Sequence, residues 1–161
     1  VWLLIACVLS GLASGGRTFL APALLAWAVA FAWLPLDGTT LHWVDSGVFR
    51  WLLTVLAVLE LLGDKSPRAP SRKQPAAVVA RLLSGGGCGA LLALATGHAP
   101  WVGIVVGAGA AVAGTWGGFA LRRRLAERLG HDLPAALIED ALVLMLAAAS
   151  VILAMGGGVP G

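Results

Sequence analysis

The chain has 161 residues, of which 59% are apolar and 12% charged, with a mean hydropathy of +0.91 and a formal charge of +3. Soluble domains run at roughly 45–50% apolar and ~25% charged residues, so these values exclude a water-soluble globule and define an all-α integral membrane bundle in one domain. The surplus of basic residues does not point to nucleic acid, because they fall in loops and lack the interleaved aromatic residues of a single-strand binder.

Residues 2–34 are apolar almost throughout, and as a single helix they would reach about 50 Å, well beyond a ~30 Å hydrocarbon core. Paired glycines in Ser14-Gly15-Gly16-Arg17-Thr18 weaken a helix, and Ser or Thr can cap the next one, so the break is expected there. This predicts a short first helix over 2–14, which either spans or enters and returns, and a second over 18–34. Pro22 then sits in early turns, where proline is tolerated. Residues 1–5 lack a basic n-region, which argues against a cleaved signal peptide, and the missing initiator Met predicts that residues precede Val1. A turn-rich loop over 35–47 follows, then a third helix over 48–63.

Between Glu60 and Pro75 lies the one long polar interruption, with four of the eleven basic residues and three of the eight prolines. Pro67, Pro70 and Pro75 each lack an amide hydrogen and restrict the residue before them, so no helix runs through the segment. Three further helices are expected over 76–96, 101–124 and 135–155, the fifth ending at Arg122-Arg123-Arg124. Gly130 closes one helix, and Asp132 ahead of Pro134 opens the next. With the 64–75 loop in the cytoplasm, alternating spans put Arg17, Lys65, Arg68, Arg72, Lys73, Arg81, Arg122, Arg123, Arg124 and Arg128 on that side against Arg50 alone. That asymmetry predicts a single orientation. Arg68, Arg72, Lys73 and the triplet Arg122, Arg123 and Arg124 read as topology anchors that touch anionic lipid, with the bilayer itself as partner.

The glycines have a packing rationale. Gly85 and Gly89 lie four apart, as do Gly103 and Gly107, and Gly114 and Gly118 continue the fifth helix, a spacing that lets membrane helices approach closely. Internal packing is the simplest use, and a homodimer face is the alternative. Leu9-Ser10-Gly11 and Leu83-Ser84-Gly85 hint at a weak inverted repeat between the two halves.

A few charges need a different explanation. Glu60 lies near the end of an apolar helix, one turn before Asp64, and a carboxylate at membrane depth costs roughly 2.5–3.5 kcal/mol at a helix centre. Glu139 and Asp140 repeat this at the same end of the last helix. Arg17 opens a helix whose first amides, those of Thr18 onward, are free to take an anion. The topology therefore brings Arg17, Thr18, Glu60, Asp64, Lys65, Glu139 and Asp140 together. They form either a ligand site or a set of pairs that only holds the bundle together, with Arg17 snorkelling to the headgroups. His42, His98 and His131 have no ligand spacing, so no metal or other cofactor is expected. Cys7 and Cys88 read as packing residues. No nucleophile, phosphate-loop or zinc motif is present, which argues against an enzyme.

Gly11-Leu12-Ala13-Ser14-Gly15-Gly16-Arg17-Thr18-Phe19, Gly63-Asp64-Lys65-Ser66-Pro67 with Pro70-Ser71-Arg72, and Ile138-Glu139-Asp140-Ala141 together resemble bacterial membrane proteins of the domain-of-unknown-function family 4126. The resemblance covers nearly the whole chain in order. Its pattern falls on Gly11, Gly15, Arg17, Pro22, Asp64, Lys65, Pro67, Arg72, Glu139 and Asp140, and it implies a small multi-pass protein of the bacterial inner membrane without an assigned activity. The functional expectation is binding or passage of a small ion, anionic solute or lipid headgroup at the Arg/carboxylate cluster. In that reading Glu60 or Glu139 is the proton or cation partner, and Lys65 orients Asp64. The alternatives are a non-catalytic packing or lipid-binding membrane module and an intramembrane enzyme acting on a lipid phosphate.

Overall fold

Apolar runs, separated by short glycine- and proline-marked turns, give six helices in the computed structural model, which describes residues 1–63 and 74–157. In order they are α1 (Trp2–Gly16), α2 (Leu20–Ala30), α3 (Gly47–Gly63), α4 (Pro75–Ala95), α5 (Pro100–Leu129) and α6 (Asp132–Gly157), with a 3-10 turn at His42–Asp45 ahead of α3. No strand occurs among the described residues. Pro75–Ala95, Pro100–Leu129 and Asp132–Gly156 are long and apolar enough to cross a membrane, while Trp2–Gly16 and Leu20–Ala30 are shorter apolar helices.

Glycine contacts fix the directions. Gly11 faces Gly107, and Gly15 faces Ala111 and Thr115, so α1 runs parallel to α5. Gly85 meets Gly107 and Gly89 meets Gly103, so α4 runs against both. Gly16 lies on Val143 and Arg17 on Asp140, which makes α6 antiparallel to α1. A Cβ on Gly11, Gly15, Gly89, Gly103, Gly107 or Gly114 would enter a neighbouring backbone, so these positions are closed to any other residue without a shift of the helices. The Leu-Ser-Gly match between α1 and α4 extends in space to a shared device. Each helix presses two glycines four residues apart onto α5, and Gly11 and Gly85 converge on the same Gly107 carbonyl.

After α1 the chain turns back. Thr18 meets Ser84, while Leu25 shares a cavity wall with Ala90 and Leu91 one to two turns further along α4, so α2 rises beside α4. The short first helix and α2 thus form an antiparallel hairpin whose tip is residues 17–19. The Thr18 and Phe19 amides bond Glu60 and the Trp27 indole bonds Thr54, so α3 descends along α2. With these directions, Trp2, Trp33, Trp43, Trp51 and Trp101 gather at the end of the bundle opposite Arg17. Tryptophan at that level fits a membrane–water boundary.

α6 opens at Asp132 rather than 135, and three other boundaries differ from expectation for a physical reason. The break falls on residues 17–19 rather than within the glycine pair, because Gly15 and Gly16 remain helical to let α5 and Val143 approach. α2 stops at Ala30 instead of 34: Ala32 takes a positive φ of 57°, and the Trp33 and Leu34 amides fold back onto the Ala28 carbonyl ahead of Pro35. α5 runs on past the arginine triplet to Leu129, since nothing in Leu-Ala-Glu-Arg-Leu breaks a helix before Gly130, which caps it at φ 72°.

Candidate functional site

The hairpin tip is where the charged side chains converge. Arg17 has extended backbone (φ −136°, ψ 118°), which ends α1 and turns its side chain toward α6. Its guanidinium is 1% exposed and donates to Asp140 Oδ1 from Nε at 2.8 Å and from Nη2 at 2.5 Å. It therefore does not snorkel to the membrane surface.

The break leaves the first amides of the α2 turn without helical acceptors, and Glu60 of α3 supplies them. Its Oε1 accepts from the Thr18 amide at 2.7 Å and its Oε2 from the Phe19 amide at 3.0 Å. The carboxylate thereby stands where an anion would bind at a helix start, favoured by both amides and the helix dipole. The amides that the sequence offers to an external anion are here taken by a side chain from α3.

Glu139 is 2% exposed and lies against Gly118, where an added Cβ would come within 3.1 Å of its Oε1. Arg122 joins it from α5, with Nη1 at 3.7 Å from Glu139 Oε2, and also grips Asp132 through Nε at 2.9 Å and Nη2 at 2.6 Å. The arginine triplet therefore divides. Arg122 turns inward to tie α5 to α6, while Arg123, exposed and near Glu127 at 3.8 Å, and the exposed Arg124 face outward. Of the remaining expected residues, Asp64, Lys65, Pro67, Arg68, Arg72 and Lys73 lie outside the described residues.

The glycines expected to pack do so inside the chain: Gly85, Gly89, Gly103, Gly107 and Gly114 meet backbone of α1, α4 or α5, and Gly118 makes room for Glu139. Sequence reasoning missed a second polar set beside the tip. Ser84 donates to the Thr18 carbonyl at 2.5 Å and lies 3.2 Å from the Ser14 hydroxyl, which in turn reaches Cys88 Sγ at 3.8 Å. Arg81, one turn below Ser84, is 6% exposed. The signal was available, since an arginine and a serine interrupt the apolar start of α4.

Beside this set lies a cavity of ≈ 430 Å³ between α2, the 3-10 turn, α3 and α4. Its walls include Pro22, Leu25, Phe49, Leu53 and Leu91, and Thr18 and Ser84 stand at the hairpin-tip end.

Long apolar helices packed through glycines, with arginines and carboxylates collected at one end, define a multi-helix membrane protein. The chain matches the family model described as "Domain of unknown function (DUF4126)" over residues 3–159, and it belongs to that family. No curated protein and no solved structure matches it.

Proposed function

We propose that the chain is a non-catalytic membrane module with affinity for lipid, and that its charged cluster is a brace for the hairpin rather than a path for ions. One observation carries this reading: the Glu60 carboxylate occupies the Thr18 and Phe19 amides, the place an outside anion would need. Arg17 is likewise engaged by Asp140, and Glu139 by Arg122. A buried arginine with a carboxylate partner costs little in place and several kcal/mol when one partner is removed, as expected of a brace.

A second reading, passage of an ion or anionic solute, has one observation in its favour. Two short apolar helices broken beside a buried guanidinium resemble the discontinuous helices from which many transporters build their sites. Passage would require Glu60 to leave the two amides. The test is ion and anion flux in proteoliposomes with the native chain and with Glu60→Gln. The brace predicts native flux equal to empty vesicles and a less stable Glu60→Gln variant. Native flux above background, abolished by Glu60→Gln at unchanged stability, would favour passage instead.

A further inference from the structure

The cavity beside the hairpin has features that a packing defect does not need. Its body is apolar, but Thr18 at its hairpin-tip end is 8% exposed and its hydroxyl has no hydrogen-bond partner among the described residues, only its amide and carbonyl being used. The hydroxyl is also not sealed within the protein. A hydroxyl left unsatisfied in apolar surroundings costs roughly 1–3 kcal/mol, so a ligand that supplies an acceptor there gains that back.

The mouth faces sideways. α3 packs on α2 and the 3-10 turn and has no substantial interface with α4 among the described residues, so the two walls stand apart. Leu83 at the rim is 72% exposed, Trp43 is 49% exposed, and an added Cβ at Gly87 would meet nothing within 4 Å. In a bilayer this slot opens onto hydrocarbon. From Ala80 to Leu91 the wall is about 16 Å long, half of a ~30 Å core and so the depth of one leaflet. Its volume falls within the ~300–1,000 Å³ of small-molecule sites.

We propose that this slot holds one acyl chain of a membrane phospholipid, with the chain running from the hairpin toward the tryptophan end and its ester carbonyl accepting from the Thr18 hydroxyl. The polar end of the ligand then sits at the level of Arg17 and Glu60, where the bundle's charges mark the edge of the apolar layer. The proposal extends the reading of a lipid-binding module. It does not depend on the brace, which the flux measurement tests separately.

The test uses the full chain in lipid nanodiscs doped with a phospholipid bearing a diazirine in its acyl chain, with cross-linked residues mapped by peptide mass spectrometry. Adducts are expected on Leu25, Leu53 and Leu91, which are buried among protein and reachable only through the slot. Thr18→Val should lower that yield about fivefold, the worth of one neutral hydrogen bond, at unchanged melting temperature. Gly87→Phe should plug the mouth and abolish it. Adducts confined to outward-facing Trp101, Leu144 and Ile152 would overturn the site, as would full yield in both variants. A diazirine-labelled free fatty acid that marks these residues when the phospholipid does not would overturn the assignment to a phospholipid.

Discussion

Two parts of the bundle solve the same problem in opposite ways. Where α1 and α4 meet α5, glycines remove side chains until backbone touches backbone, and no space is left. Where α2 and α3 face α4, bulky leucines and aromatic rings line an open cavity, and among the described residues the substantial contacts of α3 are with α2 and the 3-10 turn. With little hydrophobic drive between helices inside a bilayer, close dispersion contact is what distinguishes a permanent seam from a loose one. The first part is therefore the scaffold, and the second is the part able to admit something.

The contrast breaks most severely at the seam. Gly89→Leu or Gly107→Leu places a side chain into backbone and should abolish the folded protein, read as loss of the monodisperse peak on size exclusion. Gly109→Leu, in the same helix but with open space at its Cβ, should leave that peak intact. Next comes the pair that joins the seam to α6. Arg17→Met leaves Asp140 deprived of that donor and should cost about 3–5 kcal/mol, seen as a large fall in melting temperature, and Asp140→Asn should fall less.

Glu60→Gln keeps one acceptor but loses the charge that caps two amides. It should cost roughly 1–2 kcal/mol and speed hydrogen exchange at Thr18 and Phe19, leaving α5 unchanged. The smallest effect is Thr54→Val, which removes the Trp27 indole bond worth about 1 kcal/mol and should loosen α3 alone. If Thr54→Val slowed or sped exchange equally in α3, α4 and α5, the two parts would be one cooperative unit and the comparison would fail.

The seam was legible in the sequence because a glycine every fourth residue has few other uses, and Gly85, Gly89, Gly103 and Gly107 all act within the chain. The convergence of Arg17, Glu60, Glu139 and Asp140 was legible too, since each is a charge that an apolar helix would not carry idly. What the sequence withheld was pairing. Nothing local tells Glu60 to choose two amides over a cation, because that choice depends on the hairpin placing residues 18 and 19 beside α3. The cavity was hidden for a similar reason. Leucines and phenylalanines that line a void have the same residue types and spacing as those that fill a core, and the difference lies in whether α3 and α4 touch.

The length of α5 has a mechanical consequence. At 30 residues it measures about 45 Å, against a ~30 Å hydrocarbon layer, so roughly three turns near Arg123 and Arg128 project beyond it. Clamped at Gly103, Gly107 and Gly114, the helix is a lever with its fulcrum inside the bundle. A load applied to its protruding arm from the aqueous side would be felt first at Arg122 and Glu139, and through Gly118 at the hairpin itself.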